Sequence, residues 1–403
     1  MGKRGCFWGA VFVAGAACVL HAGEAATLTV PVDSPAFVFS PGNWVGDAGR
    51  GGSKYRQTWN SFAYFRIAWE SATTNVVPTL LMDTSTYGKA FGPPRLAAQL
   101  DGLWSGDLVC APEIRLKGAV KPGKHVLTVY VKASAEKLRW GTPGESGSNV
   151  VRVAGLRVEA GSKTFPDAPR PKWALIVGDS ITQGVGASDL ECYSHLVGEA
   201  LRTQGYEYCV SACGWSGWIN RGDNPPGDVP GYYVISNSVD GAGGRYFDEL
   251  SRWNKIDANH SFLDVKGRLS AYGSTGQEPS VILINYGTND ALWRSNPGDV
   301  RASMLQCLAA LRQSAPQAHI FLIVPFGQYK AAEHEQTVEA YRTAYPRDGR
   351  VSLLNMGPEV AMALAAKKGY WGGLHPNPRA HALFAVKITA QVMATLCKSG
   401  QEQ

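Results

Sequence analysis

The sequence has few charged residues and no block of basic charge. Asp, Glu, Lys and Arg make up 18% of its 403 residues, and no run of five or more Lys and Arg occurs. The net charge of +6 is therefore spread thinly, which argues against a nucleic-acid partner. The 46 Gly residues follow no fixed period, which excludes a collagen-like chain. With 45% hydrophobic residues, the chain is globular rather than disordered.

The first residues resemble a targeting segment. Lys3 and Arg4 precede an apolar stretch at 6–20, which is too short to span a bilayer and has the length of a secretory h-region. Small residues follow, so we predict a signal peptide at 1–25 and a secreted or periplasmic mature protein. A lipoprotein anchored through Cys18 is the less favoured alternative. No later stretch is predicted to span a membrane.

Six cysteines remain after this segment. They are compatible with buried free thiols or with one or two disulfides, and the sequence does not decide between these alternatives. They are Cys110, Cys192, Cys209, Cys213, Cys307 and Cys397.

The residues at 26–164 predict an all-β domain. Short strand-like runs alternate with clusters of Gly, Pro, Asn and Asp, and apolar side chains alternate along 62–69 as in a half-buried strand. A β-sandwich of the jelly-roll type is the simplest architecture for such strands. The Pro-rich segment 165–171 is predicted to be a linker. The predicted strands are 27–32, 37–39, 61–70, 77–83, 95–101, 108–116, 125–133 and 150–159.

The residues at 172–403 have a different pattern. Short, continuously apolar runs are typical of strands buried on both faces, and helical stretches lie between most of them. This alternation predicts a flavodoxin-like, doubly wound parallel sheet. The long connection 219–278 is predicted to form a lid or site wall. The predicted strands are 173–177, 206–210, 281–285, 320–324 and 351–354, and the predicted helices are 190–203, 300–313, 331–345, 358–368 and 378–397.

Chemistry in such a fold is expected where the parallel strands end. The motif 178–184, Gly-Asp-Ser-Ile-Thr-Gln-Gly, directly follows the first of these strands. Ser180 on that turn would project its hydroxyl above the sheet, and its own N–H would help hold an oxyanion. The alternative is an ordinary strand-to-helix turn with Ser as a helix cap, which a seven-residue motif at this position makes less favoured.

Two further motifs follow later strands. Gly-Thr-Asn-Asp at 287–290 offers the side-chain amide of Asn289 to the same oxyanion. Gly-Leu-His-Pro-Asn at 373–377 supplies the imidazole of His375 as a general base. Each would be unremarkable alone, because such tetrads are common in turns and most lone histidines are structural. Only the order of the motifs along the chain and their positions after the parallel strands, taken together, indicate a catalytic site.

The three motifs in this order resemble those of the SGNH, or GDSL-type, hydrolases over about residues 172–397. The resemblance implies that Ser180 attacks an ester carbonyl and that His375 takes its proton. It also implies an oxyanion hole formed by the Ser180 N–H, the Gly217 N–H and the Asn289 amide. Gly214 is the second possibility for the glycine.

One position departs from the family pattern. The family usually has Asp three residues before the His, where this sequence has Gly372. The resemblance therefore leaves open a Ser-His dyad oriented by a backbone carbonyl, or an acid from elsewhere such as Asp290 or Asp240. The family 2 carbohydrate esterases, which join a jelly roll to an SGNH domain, tolerate this loss, and the sequence is similar to them in layout.

The expected substrate is an acetylated carbohydrate. Of 12 Trp residues, we predict that Trp371 and Trp218 contact substrate, because aromatic faces stack on sugar rings; packing in the core is the alternative for each. The resemblance implies a secreted carbohydrate O-acetylesterase that needs no metal or cofactor, since no His, Asp and Glu cluster has ligand spacing. The alternatives are a non-catalytic carbohydrate-binding protein on the same scaffold and a lipase or thioesterase. The oligomeric state is not predicted.

Overall fold

The structure is a computed structural model. It describes residues 26–48, 54–72, 76–88, 92–117, 120–134, 136–140, 149–166, 169–187, 190–220, 229–235, 251–270, 277–358, 370–371 and 374–401. The predicted signal peptide at 1–25 lies outside these residues, as does nearly all of the predicted helix 358–368.

The N-terminal part forms two antiparallel sheets packed face to face. One has the order β3-β4-β11-β6-β9 with β1 on β11, and the other β12-β5-β10-β7-β8 with β2 on β5. Their inner faces enclose buried Trp69, Leu127 and Leu156. This arrangement confirms the jelly-roll prediction. The strands are Thr27–Pro31, Phe37–Phe39, Val45–Ala48, Lys54–Thr58, Tyr64–Ser71, Thr79–Met82, Arg95–Leu100, Leu103–Val109, Glu113–Arg115, Gly123–Ala133, Val151–Glu159 and Lys163–Phe165 (β1 to β12).

The second part is the predicted parallel sheet with helices on its faces. The strand order is β14-β13-β15-β16-β17, and all neighbouring strands are parallel. The strands are Lys172–Gly178, Tyr206–Ala212, Val281–Asn285, His319–Ile323 and Val351–Leu354 (β13 to β17), and a short antiparallel pair is formed by Tyr370–Trp371 (β18) and His375–Pro376 (β19). The helices are Ser180–Gln183, Tyr193–Thr203, Thr288–Leu292, Pro297–Ser314, Ala331–Ala344 and Pro378–Gln401 (α1 to α6).

A buried ionic contact joins the two domains. Glu207 on β14 accepts hydrogen bonds from Arg66 Nη1 at 2.7 Å and from Tyr64 Oη at 2.5 Å, both from β5. Burial alone would raise the pKa of Glu207, but the neighbouring Arg66 and the Tyr64 hydroxyl outweigh it, so this pKa is lowered. Removal of one partner of a buried ion pair is strongly destabilising, because the other charge is left buried without compensation. The β-domain is therefore held against the parallel sheet by a buried ion pair.

Helix α6 covers one face of the sheet. Residues 378–398 are long and apolar enough to allow a membrane span, with a mean hydropathy of 1.4. No stretch after the predicted signal peptide was expected to have this property. Phe384, Ile388 and Val392 are nonetheless buried in the core formed with α2 and the sheet, so α6 serves as a packed helix of this domain.

The six cysteines after residue 25 are all unpaired thiols in the structure. Five of them are buried, and Cys397 on α6 is exposed. Of the two alternatives that the sequence left open, free thiols are the one found.

Candidate active site

Ser180 lies where β13 ends and α1 begins. The Asp179 carboxylate caps this helix by accepting the Ile181 N–H at 2.9 Å. The Ser180 N–H is at the first helical position, where no intrahelical acceptor exists, and its side chain is half-buried. Burial, helped by the charge of nearby Asp290, raises the pKa of Asp179 to about 7. The turn is thus built to present the serine hydroxyl above the sheet edge.

The imidazole of His375 meets this hydroxyl. His375 lies on β19, and its Nε2 is 2.8 Å from Ser180 Oγ. Partial burial lowers the pKa of His375 below its ordinary value of 6.5, which favours the neutral imidazole at neutral pH. A neutral imidazole within hydrogen-bond distance of a hydroxyl can accept its proton. The structure thus brings together the two residues that the sequence predicted as nucleophile and base.

Gly186 makes room for the histidine strand. Its φ is +92°, and an added Cβ would lie 2.4 Å from the Pro376 carbonyl oxygen and 3.1 Å from the His375 Cβ. Only a residue without a side chain fits this close approach in a left-handed conformation. Gly186 therefore helps to fix the position of the imidazole.

Asn289 lies in the first turn of α3, directly after β15. Its Nδ2 donates to the Ser216 carbonyl oxygen at 2.9 Å, and the side chain is buried. This hydrogen bond uses one of the two amide protons. Asn289 therefore also holds the loop that follows β14, the loop that carries both candidate glycines.

The structure does not support Gly217 as an oxyanion donor. Its N–H already donates to the Asn220 carbonyl oxygen at 2.9 Å, and the residue is buried against the Asp290 carboxylate. Gly214 is nearer the nucleophile, because a Cβ built on it would lie 3.7 Å from the Ser180 Cβ. Its N–H donates to Gln183 Oε1 at 2.9 Å. Both N–H groups therefore already have acceptors, and the glycine that would serve the oxyanion stays a prediction.

Asp290 is not the acid that orients His375. Its carboxylate accepts the backbone N–H groups of Trp218, Ile219 and Asn220 at 2.7 to 3.2 Å. These bonds fix the loop after β14. Asp240, the other candidate acid, lies outside the described residues, as does Gly372, where the family usually has Asp. The group that orients His375 therefore stays a prediction.

The tryptophans divide between core and surface. Trp218 is 0% exposed and packs against Tyr232 and Tyr286, which fits the alternative of core packing rather than contact with substrate. The side chain of Trp371 is outside the described part of the structure, and its predicted role is untested. Trp215 is 45% exposed at the tip of the loop after β14, with a φ of +72°.

Two arginines missed by sequence reasoning hold the strand ends beneath the site. Arg252, fully buried, donates from Nη2 to the Gly178 carbonyl oxygen at 3.1 Å. Arg139, from the 3-10 turn Glu136–Trp140 of the β-domain, donates from Nη2 to the Ala212 carbonyl oxygen at 2.5 Å. Neither lies in a recognisable motif, because their partners are main-chain atoms distant in sequence.

Comparison with known proteins agrees with this fold and motif order. The model of the GDSL-like lipase/acylhydrolase family matches residues 176–383, more than half of the chain, so the protein belongs to that family. No curated protein sequence matches it.

Solved structures share both domains. An active-site mutant of a family two carbohydrate esterase from Clostridium thermocellum has a TM-score of 0.62 and 15% identity, covering 90% of this chain and 99% of its own. A family two carbohydrate esterase from Cellvibrio japonicus has a TM-score of 0.62 and 16% identity, covering 92% and 98%. An acetyl xylan esterase from the rumen bacterium Butyrivibrio proteoclasticus has a TM-score of 0.59 and 14% identity, covering 92% and 99%. At these identities the likeness concerns the fold.

Proposed function

We propose that the protein is a carbohydrate O-acetylesterase that acts through an acyl-enzyme on Ser180. The observation that carries this proposal is the 2.8 Å contact between Ser180 Oγ and His375 Nε2, in a site whose imidazole has a lowered pKa. This is the arrangement that activates a serine hydroxyl as a nucleophile.

In the first half-reaction, Ser180 Oγ attacks the acetyl carbonyl carbon while His375 Nε2 takes the hydroxyl proton. The tetrahedral intermediate then collapses, and the imidazolium returns the proton to the departing sugar oxygen. In the second half-reaction, water gives a proton to His375 and attacks the acetyl-serine. The second tetrahedral intermediate then collapses: the bond from the acetyl carbon to Ser180 Oγ breaks, the imidazolium returns its proton to Oγ, and acetate leaves.

The developing negative charge requires hydrogen-bond donors. The Ser180 N–H, at the first position of α1, and the remaining amide proton of Asn289 are the donors that we assign to the oxyanion. Removal of one such donor in a hydrolase costs about a hundredfold or more in kcat. Gly217 is not included, because its N–H is bonded to Asn220.

The carbohydrate part of the proposal has separate support. The solved structures that share both domains include carbohydrate esterases and an acetyl xylan esterase. The exposed indole of Trp215 lies on the same loop as Gly214, and it offers a flat face to a sugar ring beside the nucleophile. A secreted or periplasmic location follows from the predicted signal peptide at 1–25 and belongs to the same proposal.

The direct test measures hydrolysis of p-nitrophenyl acetate and of acetylated xylan. Ser180→Ala should remove turnover of both, while the exposed hydroxyl variant Thr203→Ala should behave as the parent protein. A parent protein that hydrolyses neither ester, or a Ser180→Ala variant within tenfold of the parent, would contradict the proposal. Binding of the glycan without hydrolysis would favour the non-catalytic alternative.

A further inference from the structure

The two domains enclose a cleft close to the nucleophile. Its volume is about 450 Å³, and its walls include Arg95, Asp107 and Lys132 of the β-domain and Gln183 and Gly184 of the catalytic domain. Gln183 is three residues after Ser180 on α1, about 4.5 Å along a helix axis, which is comparable to the length of one sugar ring. The cleft therefore begins on the same helical turn that carries the nucleophile.

The β-domain side of the cleft is an ionic cluster on neighbouring strands. The Asp107 carboxylate accepts Arg95 Nε at 2.7 Å and a second hydrogen bond from Arg95 Nη2, and Lys132 Nζ is 3.2 Å from its Oδ1. The side chains of Arg95 and Asp107 are 47% and 48% exposed. This fork uses two of the five N–H donors of a guanidinium, so Arg95 can also donate to a ligand.

The backbone at Asp107 is strained. Its φ is +56°, and the pairing of β7 with β8 shifts register between Leu96 and Ala98. A bulge of this kind redirects a side chain and is common beside functional sites, while a left-handed non-glycine residue costs about 1–3 kcal/mol. The strained backbone interrupts the regular pairing of β7 with β8 and places the Asp107 carboxylate between Arg95 and Lys132.

The chemistry of this wall fits a polyhydroxylated ligand. Six of the lining residues carry charged, hydroxyl or amide side chains, and the others add apolar surface. A sugar offers both hydroxyls, which such polar groups bind through directional hydrogen bonds, and C–H faces, which pack on apolar surface.

We propose that this interdomain cleft is a glycan-binding subsite that holds the chain beyond the acetylated sugar, with Arg95 as its principal donor. The inference rests on the proposed esterase function and assigns the β-domain a direct part in choosing the substrate. It predicts that the enzyme prefers acetylated oligosaccharides to acetyl esters without a sugar chain.

The test compares kcat/KM on acetylated xylohexaose with kcat/KM on p-nitrophenyl acetate. Arg95→Ala should lower the ratio of these two values by about tenfold, since a hydrogen bond to a charged donor is lost. The matched control is Arg157→Ala. It removes a half-buried arginine that forms the same kind of bidentate ion pair, with Glu113, on the other sheet, and it should leave the ratio at the parent value.

Calorimetry with unacetylated xylohexaose, cellohexaose and mannohexaose separates binding from hydrolysis. At least one should bind the parent protein, and Arg95→Ala should weaken that binding by about the same factor as in the kinetic test. Binding of none of the three, or equal binding by both variants, would overturn the subsite. If the esterase proposal is wrong but the subsite exists, the parent protein will bind a glycan in a way that depends on Arg95 and will hydrolyse no ester.

Discussion

Replacement of Gly186 by alanine should misplace the catalytic imidazole. The new Cβ would lie 2.4 Å from the Pro376 carbonyl oxygen, whereas a Cβ atom in a folded protein is almost never closer than 3.0 Å to another heavy atom. The strand that carries His375 must therefore retreat by about 0.6 Å, or the segment after α1 must move by a similar amount. Because a misplacement of about 1 Å can cost about a hundredfold in rate, we expect kcat/KM to fall roughly ten- to hundredfold.

Gly205→Ala provides the control for backbone strain. Gly205 has a φ of +84°, close to the +92° of Gly186, but an added Cβ would have no atom within 4 Å. Both variants should lose about 1–2 kcal/mol of stability from the left-handed conformation, a shift of a few degrees in Tm. Only Gly186→Ala should also lose activity on p-nitrophenyl acetate. Equal kcat/KM values for the two folded variants would refute the positioning role.

Three further predictions concern charge and hydrogen bonding. Asn289→Ala should lower kcat on p-nitrophenyl acetate by about a hundredfold; a raised KM with an unchanged kcat would show that Asn289 binds substrate instead. The kcat/KM profile of the parent should fall as pH drops through the lowered pKa of His375, so its acid midpoint should lie below 6.5; a midpoint at or above 6.5 would contradict a buried neutral base. Burial raises the pKa of Glu136 from 4.5 to about 7, and a raised carboxyl pKa costs stability once pH exceeds the unfolded value. Glu136→Gln should therefore stabilise the protein by up to about 3 kcal/mol at pH 8 and have little effect at pH 4, as measured by denaturant unfolding; equal effects at both pH values would refute this assignment.

The parallel sheet was predictable because its strands are buried on both faces. A continuous apolar run such as that of Val281–Asn285 is typical of a strand in a parallel sheet covered on both faces. Strands β3 and β4 were missed, since Val45–Ala48 and Lys54–Thr58 are short and mix polar with apolar residues. The predicted strand 108–116 is in fact the end of β8 and all of β9, because a single run of residues does not reveal a turn within it.

The part of the candidate site that is formed by side chains within motifs was predictable from the sequence. Ser180 and His375 follow different strands of one parallel sheet, and such strand ends meet at one edge. Residue type alone does not show that the Gly217 N–H is bonded to Asn220 within the loop, or that the Gly214 N–H is bonded to Gln183 Oε1. Core packing was the alternative for Trp218, and residue type could not select it, because the indole packs against Tyr232 from the long connection after β14.

The central claim is that Ser180 carries the acetyl group between the two half-reactions. Rapid mixing of the parent protein with p-nitrophenyl acetate, followed by acid quenching and peptide mass spectrometry, tests this directly. We predict a mass increase of one acetyl group on the peptide that contains Ser180, absent from Ser180→Ala and strongly reduced in His375→Ala. Turnover of the ester with acetyl on another residue, or equal turnover by Ser180→Ala, would contradict the account.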